Sequence, residues 1–167
     1  MNMIIDPHLH AEVTSLLAAE ALHLDNQRWR EWLALYTEDA VYYVPAWQSE
    51  DKLTDDPKTQ LSLIYISARA GLEERIFRIE SRDSFASLPL DRTTHLTSNI
   101  LITAAEGDTV QLEATWMVHS VGARGDSTRG GRYQYTLRRE GGQLRIARKV
   151  TVIIDEKLEG TVDVYHI

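Results

Sequence analysis

The chain has 167 residues and a formal net charge of -7, with 25 acidic residues against 18 Lys and Arg and no cysteine. This length is typical of one domain with a sizeable core, so we expect residues 1–167 to form a single domain. The acidic balance argues against nucleic acid and anionic membranes as partners. No apolar run approaches the ~20 residues that a membrane span needs. Without cysteine, disulfides, thiolate metal sites and thiol nucleophiles are excluded, and a cytoplasmic protein without a secretory signal is predicted.

The first third of the chain has the spacing of helices. Apolar residues recur every three or four positions from Leu9 to Leu24, after Asp6 and Pro7, which are typical of a helix cap and first turn. A second, shorter helix is predicted from one apolar row: Trp29, Trp32, Leu33 and Tyr36. An acidic turn over 37–39 then leads to a predicted strand over 40–44.

The next segment is predicted to be shorter and more irregular. Residues 46–58 are acidic and loop-like, and residues 61–66 favour a short strand. The spacing of Leu72, Ile76 and Ile79 predicts a third helix over 68–81. A loop is expected over 82–91.

The segment from Thr94 to Asp155 is predicted to form four long strands joined by turns. Tight turns are predicted at Gly107-Asp108 and Gly141-Gly142, and a looser one over 122–128. Alternation assigns one apolar face to the following residues: Leu96, Ile100, Ile102, Ala104, Val110, Leu112, Ala114, Trp116, Val118, Tyr133, Tyr135, Leu137, Leu144, Ile146, Val150, Val152 and Ile154.

The opposite face of these strands is predicted to be polar, with a few apolar members. It carries Thr97, Thr103, Gln111, Glu113, Thr115, Gln134, Thr136, Arg138, Arg145, Lys149 and Thr151, mixed with Leu101, Met117 and Ile153. Arg148 falls in the apolar row, which indicates a bulge or a wet sheet end. A sheet with one buried face and one mixed face is typically antiparallel. Helices first and a meander second favour the α+β class, with three N-terminal helices on one face of a curved antiparallel sheet.

Charge is distributed unevenly along the chain. Residues 1–120 hold 9 basic and 19 acidic residues, whereas residues 121–150 hold 8 basic and 2 acidic residues. Such a basic stretch in an acidic chain is consistent with subunit contacts, and equally with a strand edge kept soluble by charge.

Several segments together resemble the small (beta) subunit of aromatic-ring-hydroxylating dioxygenases. The opening AAEALHLDNQRWREWLALYTEDAVYYVP resembles the two helices, acidic turn and Tyr-rich strand of that family. Residues 71–79 look like its third helix, and residues 92–99 resemble the segment that starts its meander. Residues 131–139 and 142–155 are similar to its last hairpin. The similarity covers nearly the whole chain.

This resemblance implies both a fold and a partner. The fold would be the cone-shaped α+β fold shared with nuclear transport factor two, scytalone dehydratase and ketosteroid isomerase. The assembly would be a hexamer of three large and three small subunits, with a trimer of small subunits supporting the catalytic alpha subunits and a reductase or ferredoxin acting indirectly. The local patterns resemble the benzoate, anthranilate or salicylate type of dioxygenase.

The sequence also bears on where the chemistry of such a complex takes place. A Rieske cluster needs two Cys and two His, and the mononuclear iron needs two His and a carboxylate. Without cysteine this chain cannot hold a Rieske cluster. Its six histidines are His8, His10, His23, His95, His119 and His166. His8 and His10 have no carboxylate at a convincing ligand spacing, and His95 and His119 fall on separate predicted strands. We therefore expect no catalytic, cofactor-binding or metal residue here, with both iron centres in the alpha subunit.

The alternative is a free-standing cone-fold lyase or isomerase that acts on a small molecule by acid–base chemistry. Such an enzyme places a carboxylate, His or Tyr inside the cone, and Asp39, Tyr42, Tyr43 and His95 could form the set. The structural interpretation is that Asp39 closes a turn, the tyrosines pack with satisfied hydroxyls, and His95 forms a hydrogen bond at a strand start.

Overall fold

The computed structural model describes residues 6–81, 89–155, 158, 160 and 162–167, so most of the loop predicted over 82–91 lies outside the described residues. The helices and strands, in chain order, are α1 (Pro7–Asp25), α2 (Trp29–Ala34), β1 (Tyr36–Pro45), β2 (Ser62–Ile66), α3 (Arg69–Glu80), β3 (Arg92–Glu106), β4 (Thr109–Gly122), β5 (Gly125–Glu140) and β6 (Gln143–Ile153), followed by a 3₁₀ turn (Val164–His166). The three predicted helices and the four-stranded meander are confirmed.

Helix α1 begins where the sequence indicates. The Asp6 side chain caps it by accepting hydrogen bonds from the backbone N–H groups of His8 and Leu9, at 2.9 and 3.2 Å. Val13, Leu17 and Leu24 are buried along one side of the helix. This apolar stripe packs α1 across the sheet, chiefly over β3.

The six strands form one sheet in the order β2-β1-β6-β5-β4-β3. Neighbouring strands are antiparallel, as predicted, except for the parallel pair β1–β6. The core between the sheet and the helices includes Trp32, Tyr36, Leu72, Ile76 and Leu112.

Two local expectations were wrong. Residues 37–39 do not form a turn, because β1 already begins at Tyr36 and continues through them. The connection predicted as a looser turn over 122–128 is short: β4 and β5 pair as far as Gly122 and Gly125, which leaves only two residues between them. Gly125 has a φ of 108°, a backbone conformation that glycine adopts without strain.

A bulge in β3 reverses part of the predicted apolar face. The pairing with β4 slips between Ser98 and Leu101, and Asn99 there has a φ of 52°. Because side chains alternate, one inserted residue exchanges the two faces of the strand on one side of it. Leu96 is consequently 59% exposed, while His95 is buried, contrary to the predicted assignment of Leu96.

A second bulge, in β6, has larger consequences. Thr136 pairs with Arg148 and Leu137 with Ile146, so the one-residue insertion lies at Ala147. Beyond it the faces exchange: the predicted polar residues Lys149 and Thr151 are buried, and so is Ile153, which is 3% exposed. Arg148 is exposed, as the bulge interpretation requires. Ile154, placed by prediction in the core, is 61% exposed.

The face of the sheet opposite the helices is partly covered at one end. Val150 and Val152 form a small second cluster there with Tyr43, joined by the half-buried Leu53. The Trp47 indole N–H donates to the Ile153 carbonyl at 2.7 Å, which holds the 46–60 segment against the sheet. We call the remaining part of this face, on β3, β4, β5 and β6, the open face.

Among the described residues, none of the helices combines the length and the apolar character needed to cross a membrane.

Candidate functional site

A charged pair lies inside the core, between α1 and β6. The Lys149 ammonium is 3.0 Å from Oε1 of Glu20. Glu20 is 3% exposed and Lys149 is 1% exposed. Burying two ions is expensive unless they are paired and their remaining hydrogen-bonding positions are satisfied. The pair therefore needs further partners around it.

Tyrosines supply those partners. The Tyr135 hydroxyl donates to Oε2 of Glu20 at 2.6 Å, and the Tyr36 hydroxyl donates to Oε1. On the other side, the Lys149 ammonium lies 4.2 Å from the ring centroid of Tyr133, within the range of a cation–π interaction. We call Glu20, Lys149, Tyr36, Tyr133 and Tyr135 the core polar cluster.

Electrostatics within the core polar cluster support an ion pair. Burial alone would raise the pKa of Glu20, but the charge of Lys149 and the hydrogen bonds from Tyr135 and Tyr36 outweigh it and lower that pKa below its ordinary value. Burial lowers the pKa of Lys149, and the Glu20 carboxylate opposes that shift. Burial, together with the nearby Glu20 carboxylate, raises the pKa of Tyr133 and Tyr135 well above the ordinary value. These tyrosines thus act as neutral donors and packing groups.

A second polar link joins the end of α1 to β3. Oδ1 of Asp25 lies 2.5 Å from Nδ1 of His95, and Oδ2 accepts from the His95 backbone N–H at 2.9 Å. The Thr93 hydroxyl donates to the same carboxylate at 2.9 Å. Burial by itself would raise the pKa of Asp25, but the hydrogen bonds and charge from His95 and the Thr93 hydroxyl more than offset it, so the pKa is lowered.

These two carboxylates predict how the free energy of unfolding depends on pH. A carboxylate whose pKa is lower in the folded chain contributes stability that is present above its unfolded pKa and lost as pH falls through the folded value. With ordinary values of 4.5 for Glu20 and 3.8 for Asp25, we expect stability to fall as pH drops below that range. Urea titrations between neutral and acid pH will measure this slope, and Asp25→Asn should make it shallower. An equal slope in both proteins would contradict the contribution of Asp25.

The four residues considered for acid–base catalysis do not converge. Asp39 lies on the surface within β1, where its bidentate pairing with Arg138, at 2.6 and 3.1 Å, holds the pKa of Asp39 well below its usual range. It does not close a turn. Tyr42 points into the main core, whereas Tyr43 lies in the cluster on the opposite face of the sheet. The Tyr43 hydroxyl donates to the Thr54 carbonyl at 2.8 Å, and His95 pairs with Asp25 as a structural role requires.

The interior has no room for a substrate at the core polar cluster. The space enclosed there by Glu20, His95, Tyr133 and Lys149 is too small to admit a water molecule. Within the described part of the chain, His, Asp and Glu side chains nowhere gather in threes as a metal site would require. The arrangement can tie α1 to the sheet, but it does not offer a reacting group to a ligand.

Sequence reasoning missed the core polar cluster altogether. Alternation in the sequence predicts Lys149 on the polar face, and the helical spacing of α1 does not distinguish Glu20 from its neighbours. A usable signal was present in β6, where Arg148 and Lys149 are adjacent in a strand. Because neighbouring side chains point to opposite faces, one of two consecutive charged residues must face inward unless the strand ends.

Comparison with known proteins decides the family. The family model described as the ring hydroxylating beta subunit matches residues 19–159. This chain belongs to that family. It is 38% identical over 161 residues to the 2-halobenzoate 1,2-dioxygenase small subunit of Burkholderia cepacia, covering 95% of this chain and 96% of that protein. It is 33% identical over 156 residues to the benzoate 1,2-dioxygenase subunit beta of Acinetobacter baylyi, covering 93% and 92%.

A solved beta subunit shows the same architecture. The crystal structure of the beta subunit of benzoate 1,2-dioxygenase from Burkholderia mallei superimposes with a TM-score of 0.79, at 32% identity and with 100% of both chains covered. The resemblance seen in the sequence is therefore confirmed, and so is the α+β fold class. Relatives in the beta-subunit family are subunits of dioxygenase complexes.

Proposed function

We propose that this chain is the non-catalytic, structural beta subunit of a ring-hydroxylating dioxygenase that adds O₂ to an aromatic acid. The observation that carries this proposal is the similarity over nearly the full length to small subunits of such enzymes. The space beside the core polar cluster does not admit a water molecule, which supports a scaffold role for these residues rather than catalysis by them. Electrons would come from NADH through a reductase, and the complex would work in the cytoplasm.

The proposed division of labour places both iron centres in the alpha subunit. This chain has no cysteine for a Rieske cluster. Two of its histidines already have other partners: Nδ1 of His95 lies against Asp25, and Nδ1 of His119 is 2.9 Å from the Thr128 hydroxyl. We accordingly assign no catalytic, cofactor-binding or metal residue to residues 1–167, which we treat as a single domain.

An aromatic acid is the substrate class that the relatives favour. Proteins named for benzoate and for 2-halobenzoate match this chain over more than nine-tenths of its length. A relative named for benzene is 29% identical and matches 62% of this chain. The sequence-level resemblance to the benzoate and anthranilate type points the same way.

The proposed assembly is a trimer of this chain within a hexamer that also contains three alpha subunits. The open face of the sheet is the contact that we assign to the trimer. Leu96 and Met117 are direct cross-strand neighbours there, and they are 59% and 50% exposed. Ile153, which the sequence placed on the same face, is buried in the core and does not belong to this patch.

The division of labour can be tested with purified proteins. We expect the isolated chain to contain no stoichiometric iron and to oxidise no aromatic acid. The complex with its alpha subunit is expected to contain iron and to oxidise an aromatic acid. Elemental analysis, and oxygen uptake with benzoate as the probe in the presence of NADH and the reductase, will measure these properties. The alpha subunit prepared alone is the control. Iron at one equivalent in the isolated chain would overturn the proposal.

A further inference from the structure

The segment that contains the 3₁₀ turn packs into the core between the sheet and the helices. We call residues 163–167 the closing segment. Val164 and Ile167 are fully buried, and Tyr165 is 4% exposed. All three belong to the main core cluster, where the ring centroid of Tyr165 lies 6.2 Å from that of Trp29 on α2. The closing segment is not a strand of the sheet, so the contacts of its side chains hold it in place.

Two polar contacts attach the closing segment to other parts of the fold. Nη1 of Arg75, on α3, lies 2.9 Å from Oδ1 of Asp163. Nε2 of His166 lies 3.3 Å from Oδ2 of Asp91, just before β3. An arginine–carboxylate pair keeps its charges near neutral pH, whereas a histidine changes its charge there. The contact at His166 is therefore the pH-sensitive one of the two.

Both ring nitrogens of His166 have a partner, and the two partners fix where its hydrogen lies. Nδ1 is 3.4 Å from the backbone nitrogen of Asp163, a contact that completes the capping box of the 3₁₀ turn. A backbone N–H can only donate, so Nδ1 must be unprotonated to accept from it. Nε2 then carries the hydrogen and donates it to the Asp91 carboxylate. A protonated ring cannot make both contacts, because its Nδ1–H would face the N–H of Asp163.

The surroundings of the ring also favour its neutral form. Burial lowers the pKa of His166 below its ordinary value of 6.5, although the carboxylates of Asp91 and Asp163 oppose this shift. The positive charge of Arg129, on β5, acts in the same direction as burial. The charged groups that face the ring thus come from the start of β3, from β5 and from the closing segment itself. Their net effect agrees with the hydrogen bonds, which also require a neutral ring.

We propose that His166 is a pH-sensitive latch, whose neutral ring holds the closing segment in the core and whose protonation releases it. Release breaks the capping box at Asp163 and removes Tyr165 from its position beside Trp29. A group whose pKa is lower in the docked state contributes docking free energy above its undocked pKa, and this contribution is lost as pH falls towards the docked value. Docking should therefore weaken below the ordinary value of 6.5, by at most about 10-fold per pH unit. An ion pair between protonated His166 and Asp91 has the opposite sign, because docking would then strengthen on acidification.

Hydrogen exchange in the full-length chain tests the latch. The backbone amides of Val164 and His166 donate to Oδ1 and to the carbonyl of Asp163, so their protection reports how often the closing segment opens. Between about pH 7.5 and about pH 5, after correction for intrinsic exchange rates, we expect their protection to fall about 5-fold or more. Amides of β4 are the internal reference for opening of the whole chain. His166→Asn should abolish the pH dependence, because the Asn carbonyl can accept from the Asp163 N–H and does not titrate. The matched control is His10→Asn, since His10 is exposed on α1 and its loss should leave the wild-type response unchanged.

Nitrogen NMR of the ring gives a second test that needs no variant. At about pH 7.5 the neutral ring of His166 should carry hydrogen on Nε2 and none on Nδ1. Hydrogen on Nδ1 would overturn the inference, and so would protection that is constant or rises on acidification in the wild type. The same pH dependence in wild type and His166→Asn would also overturn it, because the response would then belong to another group. If His166→Asn is unprotected at every pH, the position of the ring hydrogen and the wild-type slope decide the outcome.

Discussion

Lys149→Met is expected to destabilise the folded chain by about 3–5 kcal/mol, because it leaves the Glu20 carboxylate buried without its counter-charge. Lys149 is 1% exposed and its ammonium is 3.0 Å from Oε1 of Glu20. Methionine fills a similar volume, so loss of packing contributes little to the difference. The hydroxyls of Tyr36 and Tyr135 remain as donors to Glu20, but they do not neutralise its charge.

Urea unfolding at neutral pH and fixed chain concentration will measure this loss of stability. Lys52→Met is the matched control, because Lys52 is exposed and the same change there should stay within about 0.5 kcal/mol. Adding Glu20→Gln to Lys149→Met should recover much of the loss, since a neutral amide removes the uncompensated charge. A combined variant less stable than Lys149→Met would refute the ion-pair interpretation.

The same variant carries a pH signature. Without Lys149, burial raises the pKa of Glu20 in the folded chain above its value in the unfolded chain. Ionised Glu20 then destabilises the folded chain at neutral pH, and this destabilisation disappears at a pH below the unfolded pKa, where Glu20 is protonated in both states. The difference in the free energy of unfolding between wild type and Lys149→Met should therefore shrink as pH falls towards the ordinary Glu pKa of 4.5. A difference that is independent of pH would point to packing instead.

Met117→Glu is expected to weaken trimer formation by about 2 kcal/mol or more, roughly a 30-fold increase in the dissociation constant, because a charge would enter the apolar centre of the contact. Met117 is 50% exposed in the single chain, so the variant should still fold. Arg124→Ala or Arg129→Ala should have a smaller effect, since rim charges each contribute ~0–1 kcal/mol.

Light scattering over a range of chain concentrations will test the Met117 prediction. Leu22→Glu is the matched control: Leu22 is 54% exposed on α1, on the opposite side of the molecule from the open face. Ile153→Glu cannot serve as an interface probe, because Ile153 is 3% exposed and a charge there would unfold the core. If Met117→Glu remains fully trimeric while Leu22→Glu dissociates, the contact lies on the helical side.

Local sequence signals determined the elements of this fold. Asp6 and Pro7 mark the start of α1 because a carboxylate there accepts the free N–H groups of the first turn. Uninterrupted alternation from Val110 to Val118 predicted the buried face of β4 correctly. The family resemblance is also carried by the sequence alone, since the segments that show it are spread over nearly the whole chain.

What only the tertiary structure decided is which face each strand presents beyond a bulge. One inserted residue near Asn99 turned Leu96 outward and His95 inward, and another at Ala147 turned Lys149 inward. Alternation has a period of two, so after one inserted residue the same sequence pattern is compatible with either face being buried. Both insertions are tolerated because α1 places a carboxylate opposite each buried polar group: Glu20 opposite Lys149 and Asp25 opposite His95. Those contacts join residues more than a hundred positions apart in one case and seventy in the other, and no local pattern encodes them.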